Sequence, residues 1–233
     1  MASKIRLLLV DVDGTLLPGS MERIFFRYLR QHGYIGWGRA SLNVLMILLK
    51  SGWPRWHNFK VAYLRGLAVD VVANAARECY TKEISPLLWP SMAKSLTSLR
   101  ERGIELALIS GTLGFLAVRL AESLGIEVFA ASVPLSESGR YTGGLVEPHP
   151  FGKRKVAFAK RIVSESGIDW DQVGAVADNY RDRYLLKESA AVVVVEPDAE
   201  LADLARERNW GVVVDPNDEV KTMGVMEGIF LKS

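Results

Sequence analysis

Residues 7–17, Leu7-Leu8-Leu9-Val10-Asp11-Val12-Asp13-Gly14-Thr15-Leu16-Leu17, decide the fold. An unbroken apolar run stops at two aspartates one residue apart, followed by a Gly-Thr turn. Apolar residues without alternation are the pattern of a strand buried on both faces, as in a parallel sheet. Ligands in open α/β sheets bind beyond the C-terminal ends of such strands. Two carboxylates at that end, with Gly14 letting the backbone turn, suggest a metal ion and an anionic substrate. A surface turn rich in Asp and Gly uses the same residues, but such turns seldom follow directly on so apolar a run.

The rest of the chain extends this pattern. Ile104 to Ile109, Val128 to Ser132, Val173 to Ala177, Ala190 to Val195 and Gly211 to Val214 read as further strands. Between them, Ser91 to Arg102, Leu113 to Leu124, Lys153 to Ser166, Tyr180 to Glu188 and Ala199 to Arg208 read as helices, several closed by glycine. Alternating strands and helices imply an α/β fold: a Rossmann-like parallel sheet with right-handed crossovers and helices on both faces. From Pro18 to Trp89 the pattern is instead helical and aromatic, with helices expected over Glu22 to His32, Ala40 to Lys50, His57 to Gly66 and Val69 to Ile84. The first strand belongs to the sheet, so this segment is a helical cap inserted after it. The expected division is residues 1–17 and 90–233 for the core and 18–89 for the cap. Gly139-Arg140-Tyr141-Thr142-Gly143-Gly144 reads as a hairpin suited to a flap.

Composition narrows the function. The 233 residues, 49% of them hydrophobic, suit one large domain or a core with a smaller insert. A net charge of +2 with scattered Lys and Arg carries no argument for a nucleic-acid partner. The single cysteine, Cys79, excludes a disulfide framework and a thiolate metal cluster. His32, His57 and His149 form no zinc pattern, and each reads as a surface or packing residue. Lys4 and Arg6 precede an apolar run too short and too soon acidic for a signal peptide. Leu42 to Leu49, broken by Asn43, falls far below the roughly 20 residues of a spanning helix. The expectation is a soluble, cytoplasmic protein with no nucleic-acid partner and at most peripheral membrane contact.

Chemistry-bearing residues recur at strand ends and helix starts. Ser110-Gly111-Thr112 follows the second strand. Gly152-Lys153-Arg154-Lys155-Val156 opens a helix, where a lysine is unfavourable to the helix dipole unless an anion sits there. Asp178-Asn179-Tyr180-Arg181-Asp182 follows the strand ending at Ala177. Taken singly, Ser110 is a helix N-cap, the lysines are surface charges and the acid pair belongs to a capped helix. Taken together and in this order, these segments resemble the four motifs of the haloacid dehalogenase-like hydrolases. Pro197-Asp198-Ala199-Glu200-Leu201, with Ala205 and Trp210 beyond, is similar to the tail of their phosphoserine-phosphatase-like branch, subfamily IB. Ala177 and Asn179 depart from the family's usual Gly and Ser.

The resemblance implies a Mg²⁺-dependent phosphomonoesterase working through an aspartyl-phosphate. Asp11 is then the nucleophile and Asp13 the general acid/base. Lys155 neutralises the phosphate, with Lys153 as the competing candidate for that role. Ser110 and Gly111 hold phosphoryl oxygens. Asp11, the backbone carbonyl of Asp13 and Asp178 take Mg²⁺, while Asp182 holds a metal-bound water or orients the lysine. Relatives that are dehalogenases lack an acid/base Asp at position 13, and transport ATPases need membrane spans; a phosphomutase shares the core but generally has a different insert. A non-catalytic phosphate-binding module is the reading from another class, favoured only if an acid were missing. For the substrate, Trp37, Trp53, Trp56 and Trp89, near Arg39, Lys50, Arg55 and Lys60, read either as cap core or as an interfacial patch. The main expectation is a lipid or other amphiphilic phosphomonoester. The alternative is phosphoserine or another small metabolite, with Glu22 as a poorly matched candidate for binding an amino group.

Overall fold

The computed structural model describes residues 4–36 and 61–231. At its centre is β1 (Leu7–Val10), hydrogen-bonded in parallel to β2 (Glu105–Leu113) on one side and β6 (Val173–Ala177) on the other. With β3 (Val128–Ser132), β7 (Ala191–Val195) and β8 (Gly211–Val213), they form a six-stranded sheet in the order β3-β2-β1-β6-β7-β8. Every pairing in it is parallel.

Successive strand residues point to opposite faces, and each face has its own core. Leu8, Val10, Leu108 and Val176 pack with α1 (Met21–Gln31), α3 (Pro90–Glu101), α4 (Gly114–Leu124) and α8 (Glu219–Phe230). Leu7, Leu9, Ala107 and Ala175 pack with α5 (Lys153–Ser166), α6 (Arg183–Glu188) and α7 (Ala199–Arg208). The unalternating strands are thus explained by helices on both sides.

The helical insertion follows β1, and Trp89, just ahead of α3, donates its N–H to the Leu16 carbonyl at 2.9 Å. The insertion is therefore pinned at its base beside the C-terminal end of β1. Besides α1, its described part holds a short 3₁₀ turn at Ala62–Leu64 and α2 (Val69–Cys79). The helix expected over Val69 to Ile84 is continuous, but its last stretch, Tyr80–Ile84, is wound as a π turn, and Ser85–Leu87 follows as a 3₁₀ turn containing Pro86. The wider turn carries Tyr80 against α4, where its hydroxyl meets Ser123 Oγ at 2.6 Å. The helix expected at Ala40 to Lys50 lies outside the described residues, as do Trp37, Arg39, Lys50, Trp53, Arg55, Trp56 and Lys60; of the helix expected over His57 to Gly66, residues 57–60 lie outside them and the described end forms only the 3₁₀ turn. Trp89 is buried, so it belongs to the core and not to a surface patch.

The hairpin is longer than expected, β4 (Pro134–Glu137) and β5 (Arg140–Leu145), and its turn is Ser138-Gly139, both at positive φ. It is tied to the insert. Gly66 N–H donates to Tyr141 O at 2.8 Å, Tyr141 N–H to Leu67 O at 2.9 Å and Val69 N–H to Gly139 O at 3.0 Å. Helix α8 was not expected from sequence; Asp218 caps it by accepting the Lys221 N–H at 3.1 Å, and Met226 and Phe230 anchor it in the core. Among the described residues no helix is long and apolar enough to cross a membrane.

Candidate active site

The ends of β1, β2 and β6 and the first turn of α5 converge on one cluster. Asp11 continues β1, its N–H donating to Val176 O at 2.9 Å and its side chain buried. Lys155 is buried as well, and its Nζ donates to Asp11 Oδ1 at 2.6 Å and to Asp182 Oδ2 at 2.7 Å. Burial opposes the charge on this ammonium, but the flanking carboxylates more than reverse that and hold it protonated. Lys153, two residues earlier, lies outside this network with its ammonium 5.2 Å from the centre of the Tyr184 ring.

Asp178 lies just past β6 and is half-buried. Thr15 Oγ1 stands 3.2 Å from Asp178 Oδ1 and 3.3 Å from Asp11 Oδ2, bridging the two strand ends. Gly14, at φ +85°, is required twice over: its backbone is left-handed, and a Cβ there would come within 2.2 Å of Asp178 Oδ2. Asn179 in place of the family's Ser keeps a capping role, accepting the Arg181 N–H at 3.1 Å and opening the turn that carries Asp182. Ala177 is fully buried as the last residue of β6.

Carboxylate oxygens of Asp11, Asp178 and Asp182 lie within 4.8 Å of one another. Three carboxylates face one ammonium. Burial, with the charges of Asp11 and Asp182, pushes Asp178 well above the usual carboxylate range. Burial raises Asp182 also, against the pull of Lys155. The trio is able to hold a divalent cation, and an all-oxygen donor set suits a hard one.

Asp13 is held by a different set of partners. Its Oδ1 accepts the Met21 N–H at 2.9 Å and its Oδ2 the Ser20 hydroxyl at 3.3 Å, so it is held at the root of the insert and its side chain is not part of the trio. Burial pushes its carboxyl up to about 6.

Ser110 and Gly111 are buried within β2, which continues to Leu113 where a helix start was expected. The Thr112 N–H donates to Ser110 Oγ at 3.1 Å. Sequence reasoning missed Ser132, His149 and Phe151, which gather around Gly111. The Ser132 hydroxyl donates to Gly111 O at 2.7 Å, and His149 Nδ1 is 2.5 Å from Ser132 Oγ. The one sequence signal was their place: His149 and Phe151 stand just ahead of the lysine helix.

An acid trio, two of its members buried, with an ion-paired lysine, at the C-terminal edge of a parallel sheet beneath a helical insertion, defines an α/β hydrolytic enzyme. Residues 8–187 match the haloacid dehalogenase-like hydrolases, and the chain belongs to that family. Among curated proteins it is 27% identical over 212 residues to the phosphoserine phosphatase SerB1 of Mycobacterium tuberculosis, covering 87% of this chain and 68% of the relative. It is 26% identical over 225 residues to a histidinol-phosphatase of Neisseria meningitidis, covering 89% and 97%. A protein of unknown function from Bordetella pertussis shares the fold at a TM-score of 0.80 and 23% identity, over 92% of this chain and all (100%) of that one. Several of the proteins it resembles are named phosphoserine phosphatases.

Proposed function

We propose that this chain is a Mg²⁺-dependent phosphomonoester hydrolase that turns over through a phosphorylated Asp11, acting on a small phosphate ester. The observation that carries the reading is the buried Asp11–Lys155–Asp182 chain of ion pairs with Asp178 beside it. A carboxylate oxygen of Asp11 attacks phosphorus in line, with Lys155 held against its Oδ1. The P–O ester bond breaks as the Asp11–phosphorus bond forms. Asp13, with its raised pKa, gives a proton to the leaving oxygen. It then takes a proton from the water that cleaves the acyl phosphate and frees Asp11. The Ser110 hydroxyl and the Gly111 N–H hold phosphoryl oxygens. Lys155, not Lys153, takes the role facing the phosphate, since its Nζ reaches Asp11 while Lys153 lies over Tyr184. Asp11, Asp178 and the Asp13 carbonyl would hold Mg²⁺, which supplies neutralising charge for a dianionic substrate; Asp182 keeps Lys155 aligned.

In this reading residues 18–89 form the cap that selects the substrate, and 1–17 with 90–233 form the core that does the chemistry. Phosphoserine is the first substrate to test and histidinol phosphate the second, because the relatives bearing those names match most of the chain. The lipid reading has only residues outside the described region behind it. A panel of phosphoserine, histidinol phosphate, para-nitrophenyl phosphate and a detergent-dispersed lipid phosphate, assayed with Mg²⁺ and with EDTA, tests both levels. The expected result is EDTA-sensitive turnover, highest kcat/KM on a small amino-bearing ester. Preference for the lipid would overturn the substrate assignment, and turnover insensitive to chelation would overturn the metal assignment.

A further inference from the structure

Strand β2 does not run evenly beside β3. Ile109 pairs with Ala130 and Leu113 with Ser132, so Ser110, Gly111 and Thr112 stand against Ala131 alone. Two extra residues bulge from the sheet, and the bulge is the loop assigned above to the phosphate. A bulge has lost its ladder partners, so something else must fix the direction of its peptide groups.

Two side chains do so. The Ser132 hydroxyl donates to the Gly111 carbonyl at 2.7 Å. His149 Nδ1 lies 2.5 Å from Ser132 Oγ and 3.3 Å from the same carbonyl. Ser132 has a single hydroxyl hydrogen, and it is spent on Gly111 O. Nδ1 must therefore carry a hydrogen and donate it to Ser132 Oγ. The opposite assignment would aim a bare nitrogen lone pair at a carbonyl oxygen. Both side chains are buried, so water does not compete for these bonds. The Phe151 ring, beside that of His149, also lies against Gly111, where a Cβ would meet its Cζ at 2.2 Å. Ser132 closes β3, while His149 and Phe151 precede the helix that carries Lys155.

We infer that Ser132 and His149 are positioning residues of the phosphate site: through the Gly111 carbonyl they hold the Gly111–Thr112 peptide, and with it the Ser110–Gly111 donors, in the orientation that accepts a phosphoryl group. Neither touches the substrate. Because His149 is six residues before Lys155 in the chain, the same segment sets both the loop and the lysine. The inference rests on the phosphatase reading, and it differs from the family's motif residues in naming two groups outside all four motifs. A rigid donor pair contributes most when its geometry is set before the charge develops.

The test compares Ser132→Ala, His149→Ala and His149→Asn with wild type, using para-nitrophenyl phosphate as substrate and inorganic phosphate as competitive inhibitor. Asn offers a donor near the Nδ1 position. The expected result is a roughly tenfold loss of kcat/KM and a roughly tenfold weaker phosphate inhibition constant in each alanine variant, the scale of one buried hydrogen bond. Half-saturating Mg²⁺ should stay within about twofold, and His149→Asn should recover most of the loss. Should His149→Ala fail to fold, Ser132→Ala decides, since it removes only one hydroxyl. An active wild type whose alanine variants keep their phosphate inhibition constant, or lose Mg²⁺ and phosphate affinity in parallel, overturns this inference alone. A wild type that neither hydrolyses the ester nor binds phosphate removes the phosphatase reading and this inference with it.

Discussion

Lys153 and Lys155 are two residues apart on one helix, so they project about 200° apart around its axis. Only one of them faces the acid trio, and it is fully enclosed between Asp11 and Asp182. Lys155→Ala leaves two buried carboxylates uncompensated, and breaking a pair in that way costs about 3–5 kcal/mol. The expected outcome is a large fall in both kcat/KM and denaturation midpoint, while Lys153→Ala changes stability by less than about 0.5 kcal/mol. Equal effects in the two variants would reassign the lysine. Asp11→Asn should remove turnover with the fold intact, checked by steady-state kinetics and circular dichroism. Asp13→Asn should fail in both leaving-group protonation and breakdown of the intermediate, with a deficit that shrinks on aryl esters, whose leaving groups need no proton; a deficit independent of leaving-group pKa would take the acid role from Asp13. These acids were legible because each follows directly on an apolar strand or opens a helix, where local pattern and chemistry coincide. Ser132 and His149 were not, because their meaning is a contact among positions 111, 132 and 149 that no local period encodes.

At the scale of elements, the strands and the α/β order were legible because burial on both faces writes continuous apolar runs. The departures are local. Strand β2 is expected to end at Ile109, where Ser110 reads as the cap of the next helix, yet the bulge carries the strand on to Leu113. The last helix was overlooked although Asp218 is an ordinary N-cap, since Gly224 and Gly228 weaken its helical pattern. The hairpin and the insert make one joined unit through the backbone bonds between residues 66–69 and 139–141. At that joint Gly143 sits at φ +85°, and a Cβ would lie 3.1 Å from Arg65 Cβ and 3.3 Å from Ala62 Cα. Gly143→Val should strain the backbone and push the two apart, at a cost of about 1–3 kcal/mol. The expected signature is faster hydrogen exchange at the Gly66 and Tyr141 amides, with KM raised more than kcat is lowered. Unchanged exchange at both amides would mean that hairpin and insert are joined elsewhere.

For the molecule as a whole, the acid trio is a local charge imbalance that folding must carry. Asp11, Asp178 and Asp182 set three carboxylates against the one ammonium of Lys155, and the raised pKa values of Asp178 and Asp182 record how unfavourable that charge is. Burying unbalanced charge lowers the stability of the folded chain, and a cation that binds only the folded form restores it. At a hundredfold excess over its dissociation constant such a cation adds about 2.7 kcal/mol, which for a chain of this length corresponds to a rise in melting temperature of roughly 5–10 °C. Mg²⁺ should therefore raise the melting temperature and EDTA should reverse it. Asp178→Asn separates the two effects. It removes a carboxyl group whose ionisation burial and its neighbours oppose while keeping shape, so the chelated variant should melt at or above chelated wild type, yet gain no more than a degree or two from Mg²⁺ and turn over poorly. A purely structural Asp178 would give the opposite result: a variant less stable than wild type in EDTA that still responds to Mg²⁺. Differential scanning fluorimetry of the two proteins, each with Mg²⁺ and with EDTA, distinguishes these outcomes without relying on knowledge of the natural substrate.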